Sequence, residues 1–466
     1  MSNWWRFAGL FAVLLAARMC HVGILWPEED LPLAAAAQMS NGRMLYLDAW
    51  FDKPPLLAAV HLLWGARDGW PIRLGGAIHA WIACFLGWLL ARDWWGEREG
   101  WIAAGLLGFF LTFDTPAAVV PMAADLTLLV PHLAAILLAR RGQAFWSGVA
   151  AGVGFAINTK AVFVAAACAL WLPRSLPMLA AGFLAPNVLV SAWLVLGGAW
   201  QAYLDQVWRW PRLYAEHTFL DQPLRTGVVR TLNWTGFHAA AVLAALAYWL
   251  RSRDPERWRW LAWLAVSAAA VMLGLRFFPR YYFQVLPVIA LAAARGFTLM
   301  PKRAAIAVAL LLLIPAIRFG PRYGLLAADL IAGRQPQWSD IAMDQDSREA
   351  SRIVRGMAQP GDTLLVWGFR PEMFVYTGLP AGSPYLDSQP LDGVAADRHL
   401  FDSTPTMPDW ARENRANLRR YHPTFIIDGL GPYNPALGID RFPDLAGWLK
   451  PYREAARTKG SIILRR

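Results

Sequence analysis

Predominantly apolar runs of about 17–25 residues recur along the chain, the length at which a helix rising 1.5 Å per residue crosses a hydrocarbon core about 30 Å thick. They fall at about 6–26, 72–92, 100–114, 121–139, 145–158, 161–173, 177–197, 235–250, 258–275, 281–297 and 303–319, which predicts roughly eleven transmembrane helices. Composition agrees with a polytopic α-helical membrane protein: the chain is 57% hydrophobic, carries 26 tryptophans and has a mean hydropathy of +0.33. Arg6 precedes the first run as it would in a signal peptide, but no small-x-small cleavage site follows and many more spans do. It reads as a retained first span.

The net charge of +11 invites a nucleic-acid reading, but the basic residues are scattered at the ends of apolar runs rather than gathered on one face. They read as topology signals, with no nucleic-acid partner. With the amino terminus in the cytoplasm, the turns "ARDWWGEREG", "ARRGQ", "PRS", "RSRDPERWR" and "PKR" all become cytoplasmic, as the Lys/Arg bias of short loops requires. The opposite face then receives an opening acidic loop (27–70), a long loop (198–234), the turn "RFFPRYY" and everything after Phe319. Within the first of these, Pro54 to Gly65 is apolar but too short to cross, so it suits a re-entrant or interfacial helix. Cys20, Cys84 and Cys168 all fall in apolar runs, which implies neither a disulfide framework nor a cysteine metal site.

From about Arg322 onward the charge density becomes ordinary. Helix-like stretches ("DSREASRIVRGMA", "MPDWARENRANLRRY", "FPDLAGWLKPYREAA") alternate with β-rich runs ("TLLVWG", "TFIIDGL", "SIILRR"), which predicts a small α/β extracytoplasmic domain over 321–466 behind a membrane domain over 1–320. No internal repeat or low-complexity linker is visible.

Several polar groups interrupt this apolar background. The loop "PEEDLPLAAAAQMSNGRMLYLDAWFDKPPLL" opens with Glu28, Glu29 and Asp30 and closes with Asp52, Lys53 and a di-proline. Adjacent carboxylates at a membrane surface can serve as a general base, and an ammonium fixed beside prolines is a natural phosphate partner. The plainer reading is a solvated acidic loop. In "GLRFFPRYYFQVLP", Arg276 and Arg280 can clamp a lipid-linked phosphate while Tyr281 and Tyr282 line the path of its tail, or the arginines simply snorkel. Lys160 in "INTKAVF" is either a ligand or part of a turn between two short spans, and Glu216 with His217 is either structural or a fragment of a metal site. Asp125 caps a helix or reaches a cavity. There is no Gly-rich phosphate loop, no dinucleotide fingerprint and no Ser-His-Asp order, so no nucleotide cofactor is implied.

These stretches resemble a known family. The opening loop is similar to the first outer loop of the bacterial protein-mannosyltransferase-like glycosyltransferases with the GT-C fold, the group that includes the aminoarabinose transferase acting on lipid A. "SGVAAGVGFAINTKAVF" looks like its Gly-rich span ending in Thr-Lys, and "RFFPRYYFQVLPVIALAAARG" like its late Arg-x-x-x-Tyr-x-x-x-x-Pro span. "PGDTLLVWGFRPE" looks like part of the soluble domain attached to many members. The resemblance implies that Glu28 and Glu29 occupy the family's Asp-Glu positions, with Glu28 at the catalytic base and Asp30 or Glu29 as alternatives. It implies that Lys53, with Arg276, Arg280 and Tyr281, contacts a lipid phosphate. It also implies that Asp52, with His217 as a candidate partner, binds a divalent metal as in the aminoarabinose branch. Pro32 stands where most members have tyrosine.

The expected activity is inverting transfer of a sugar from a polyprenyl-phosphate carrier to a hydroxyl acceptor (lipid A, another glycan or protein) at the outer face of the bacterial cytoplasmic membrane. A transporter or flippase of lipid-linked sugars explains the spans and cations equally well, but not the ordered acid-then-Lys-Pro-Pro loop, and no repeat symmetry is seen. A membrane assembly scaffold is the third reading.

Overall fold

The computed structural model describes residues 3–115, 121–216, 222–336 and 338–466. The chain forms two compact units: Met1–Val22, Ile72–Ser191 and Thr218–Pro336 make the first, and Gly23–Pro71, Ala192–His217 and Gln337–Arg466 the second.

The first unit is helical, as a bilayer demands when every backbone polar group must be paired within its own segment. Each expected apolar run falls on a helix, from Trp4–Met19 to Leu313–Ile331. Among the described residues four helices are long and apolar enough to cross a membrane: Trp70–Trp95, Leu176–Leu196, Arg257–Leu275 and Lys302–Ile331. Others, such as Ala144–Phe155 and Ala239–Arg251, are shorter. Small residues let these helices approach closely, as is usual where lipid gives no hydrophobic drive to association. A Cβ at Gly296, on the helix Leu286–Leu299, would collide with the carbonyl of Ala244 on Ala239–Arg251, and Gly148 and Gly182 are equally hemmed in by backbone. Trp260 and Trp263 are fully buried in the core of this unit, where Trp95 stacks on Trp260 at 4.9 Å.

The second unit contains a four-stranded sheet in the order β1-β2-β4-β3, with β1 Leu364–Trp367, β2 Phe425–Asp428, β3 Arg453–Arg457 and β4 Ile462–Arg465. β1 and β2 are parallel and buried at every residue, which is why β1 reads as an unbroken apolar run and β2 as one up to Asp428; β4 is antiparallel to β2 and to β3. Charged, exposed β3 closes the edge. The stretch Phe442 to Ala456, expected to be helix-like throughout, is instead broken: Ala446–Leu449 makes a single turn, then Pro451 intervenes and Arg453–Arg457 pairs with β4. Proline cannot supply the helical N–H, and the ladder with β4 gives these backbone groups partners a lone terminal helix would lack. The helix Leu313–Ile331 runs through position 320/321, and the sheet-bearing unit also takes in the opening loop.

Candidate active site

The acidic start of the opening loop is the first turn of a helix, Pro27–Ser40, with Pro27 at its first position. Glu28 is exposed, whereas Glu29 and Asp30 are buried. Glu29 turns back on its own helix: its Oε2 accepts from the Trp26 backbone N–H at 3.3 Å, closing the amino-terminal turn. Pro32 has no N–H to give to the Glu28 carbonyl, so residue 28 belongs to the opened first turn.

Asp30 faces the Glu372–Thr377 helix of the same unit and shares a hydrogen bond with Glu372. Burial holds the Asp30 carboxyl well above the usual carboxylate range, and the charges of Glu372, Asp344 and Glu29 push the same way. Burial raises Glu372 as well, against the opposing pull of Arg370. Carboxyls raised in this way favour their protonated forms. Around them a lattice is satisfied: Ser347 donates to Glu372, Tyr376 donates to Asp344, and Arg348 donates to Asp344 (3.0 Å), Asp68 (2.9 Å) and the Tyr376 hydroxyl (2.7 Å).

The far end of the loop is fixed by its backbone. Gln206 lies in a π-helical turn, Leu204–Arg209, from which its amide donates to the Tyr46 carbonyl (2.7 Å) and accepts from the Phe51 N–H (2.9 Å). Tyr46, at the unusual φ of 72°, donates its hydroxyl to the Lys53 carbonyl at 2.8 Å. Pro54 and Pro55 then start the helix Pro55–Leu63, the short apolar segment foreseen above. Lys53 is thereby held by its carbonyl while its side chain is 47% exposed, with the ammonium 2.9 Å from Asp52 Oδ2. Asp387, buried nearby, is pushed up to about 7 by burial; its hydrogen bond from the Gln389 N–H pulls it down and the Asp52 charge pushes it up.

The other predicted residues lie in the first unit. Arg280 and Tyr281 share a 3-10 turn, Pro279–Gln284. Arg280 is buried and donates to Asp114, and the Lys160 ammonium lies over the Tyr281 ring. The Lys160 backbone N–H donates to the Asn158 side chain at 3.1 Å. Arg276 is buried and its carbonyl accepts from Arg230 at 2.6 Å. Leu275 and Phe277 flank it at φ of 52° and 49°, conformations L residues adopt only when their surroundings impose them; Phe277 is pressed against Gly227, where a Cβ would collide with its ring. The structure thus gathers Glu28, Glu29, Asp30, Asp52 and Lys53 in one unit and Lys160, Arg276, Arg280 and Tyr281 in the other.

His217 lies outside the described residues. Asp52 already carries the Lys53 ammonium on one oxygen, and among the described residues no group of three or more His, Cys, Asp or Glu side chains is placed to hold a metal. With His217 outside the described residues, Asp52 by itself makes no metal cradle. Gln206, Tyr46, Glu372 and Asp387 are the groups that sequence reasoning missed. None has a local signal: each acts on a residue far away in the chain, apart from Tyr46, whose reach to Lys53 needs a backbone turn that no pattern announces.

No family model and no curated protein matches this sequence. Among solved structures the chain is similar over its whole length to ArnT from Cupriavidus metallidurans bound to undecaprenyl phosphate, with 13% identity and a TM-score of 0.58 over 100% of this chain and 98% of that one. It is also similar to ArnT from the same organism in the apo state, with 14% identity and a TM-score of 0.54 over 98% and 96% of the two chains. A third similar structure is the Archaeoglobus fulgidus oligosaccharyltransferase in complex with Zn and sulfate, with 14% identity and a TM-score of 0.49 over 95% and 71%. The fold is that of the GT-C membrane proteins, as the resemblance in the loops and spans implied.

Proposed function

We propose that this protein is an inverting membrane glycosyltransferase that takes a sugar from a polyprenyl-phosphate carrier and passes it to a hydroxyl acceptor at the outer face of the bacterial cytoplasmic membrane. The observation that carries the reading is full-length likeness to a fold whose ArnT representative was crystallised with undecaprenyl phosphate. The opening loop adds to it an exposed carboxylate, Glu28, and a half-exposed, backbone-fixed ammonium, Lys53.

Glu28 takes the acceptor hydroxyl proton as that oxygen attacks the anomeric carbon. The bond from that carbon to the phosphate oxygen breaks, and its electron pair leaves on the lipid phosphate. A phosphate is already stable as an anion, so it needs cations rather than a general acid; Lys53 and the Arg276/Arg280 pair, with Tyr281 and Lys160, are the residues assigned to it in this reading. Against Asp30 as the base stands its burial, which favours the protonated carboxyl, and against Glu29 its cap on the helix. The amino terminus is cytoplasmic and the sheet-bearing unit extracytoplasmic in this reading.

The test is transfer of a radiolabelled sugar from a synthetic polyprenyl-phosphate donor by detergent-solubilised protein, followed by native mass spectrometry of co-purifying lipid. Transfer without compartments excludes pure transport. Absence of both transfer and any co-purifying polyprenyl phosphate would sink the proposal and favour a scaffold.

A further inference from the structure

On the first unit the helices Glu97–Phe110 and Lys302–Leu310, the second continued by Leu311 and Leu312, enclose a groove of about 740 Å³. Its walls are two helical stripes, Ile102, Leu106 and Phe109 on one side and Ile306, Ala309 and Leu312 on the other. The two helices run in the same direction: Thr298 Oγ1, just before the second, donates to Glu99 Oε1 at the start of the first (2.9 Å), while Tyr323, well beyond, donates to the Thr112 carbonyl past its end. Arg98 and Lys302 therefore stand together at one end of the groove and the rest is apolar for roughly 16 Å, eleven residues at the helical rise.

Both cations are exposed, and neither has an ion pair or hydrogen bond among the described residues. The carboxylates at this end are already engaged. Glu97 accepts from Asn3 and from Trp101, each at 2.8 Å, and Glu99 accepts from Arg295 at 2.6 Å besides Thr298. An apolar trough ending in two exposed cations that make no ion pair among the described residues is complementary to an amphiphile with one anionic head. In the topology proposed above, the Arg/Lys bias of the turns that hold Arg98 and Lys302 assigns this end to the cytoplasmic leaflet.

We propose that this groove is a binding site for an anionic phospholipid of the inner leaflet, its phosphate between Arg98 and Lys302 and one acyl chain along the Ile102–Phe109 stripe. Basic pockets between membrane helices on the cytoplasmic side recognise lipid head groups in this way. The inference is independent of the transfer reaction. Gly105 lines the trough, and a Cβ there meets nothing within 4 Å, so a larger side chain fills the groove without disturbing the helix packing.

The experiment titrates delipidated full-length protein with phosphatidylglycerol, phosphatidylcholine or undecaprenyl phosphate, read by native mass spectrometry, for wild type, Arg98→Gln/Lys302→Gln and Gly105→Leu. Phosphatidylglycerol should bind wild type in preference to phosphatidylcholine, and the double variant should lose roughly thirtyfold in affinity, about what two surface cations are worth. Gly105→Leu should lose the same adduct with both charges intact, and inorganic phosphate should not compete. Equal phosphatidylglycerol binding by all three proteins, or no preference over phosphatidylcholine, overturns the site. Undecaprenyl phosphate displacing phosphatidylglycerol, or competition by inorganic phosphate, overturns the choice of occupant. If the double variant proves less stable in thermal unfolding, Gly105→Leu decides alone.

Discussion

Glu28, Glu29 and Asp30 are neighbours with the same chemistry, yet the fold gives each a different task. Glu28 stays exposed, Glu29 closes the turn beneath it, and Asp30 is buried with its carboxyl held well above the usual range. Replacing Glu28 by Gln should lower transfer at least a hundredfold, the usual worth of a positioned base, while leaving co-purifying lipid unchanged. Near-normal turnover in that variant would move the base elsewhere. Asp30 makes a different prediction. Its carboxyl is raised in the folded protein, so above about pH 4 the native state keeps a proton that the unfolded chain has released. Stability contributed there is present at low pH and falls as pH rises toward the folded value. Asp30→Asn keeps the shape and removes the titration, so thermal midpoints measured between about pH 5 and pH 9 should show the variant gaining on wild type as pH rises. Parallel curves would mean that the Asp30 carboxyl is not raised by folding. For Lys53→Ala we expect transfer to fall roughly 10²–10³-fold, as for loss of one transition-state donor, with loss of bound carrier lipid.

At the scale of elements, position depends on features that contact only distant residues. The π-turn Leu204–Arg209 aims Gln206 at two backbone groups of the opening loop, and its removal leaves both without that partner. Gln206→Ala should therefore reduce turnover while the protein still folds, and Gln206→Glu, which can keep the bond from Phe51 but not the bond to the Tyr46 carbonyl, should rescue it only in part. Equal kinetics for all three proteins would refute the positioning role. Helix contacts are equally exacting: Gly296→Val forces side-chain volume against the Ala244 carbonyl, and overpacking of this kind costs about 1–3 kcal/mol, visible as a lowered thermal midpoint in detergent. Strands β1, β2 and β4 were legible because apolar runs bounded by turn residues leave little choice. The stretch Phe442 to Ala456 was misread as helix because its periodicity is local, whereas its pairing with β4 is decided across the sheet.

For the whole molecule, a chain with +11 net charge and basic residues at the ends of its apolar runs should lie in the membrane one way round. Single cysteines at Arg253 and at Lys459, in a Cys20→Ala background, should label from opposite sides with a membrane-impermeant maleimide, Lys459→Cys from outside cells; reversed labelling would invert the proposed topology. The sequence by itself determined that this is a helical membrane protein carrying an α/β sheet late in the chain, and that acid and Lys53 belong to one short loop, because apolar length, residue period and neighbouring positions are properties of consecutive residues. Only the tertiary structure decided which carboxylate stays exposed, that the opening loop packs in the same compact unit as the sheet, and that Arg280 is matched by Asp114. The physical reason is that burial, hydrogen bonding and ion pairing depend on which remote residue arrives alongside, and no local pattern encodes that arrival.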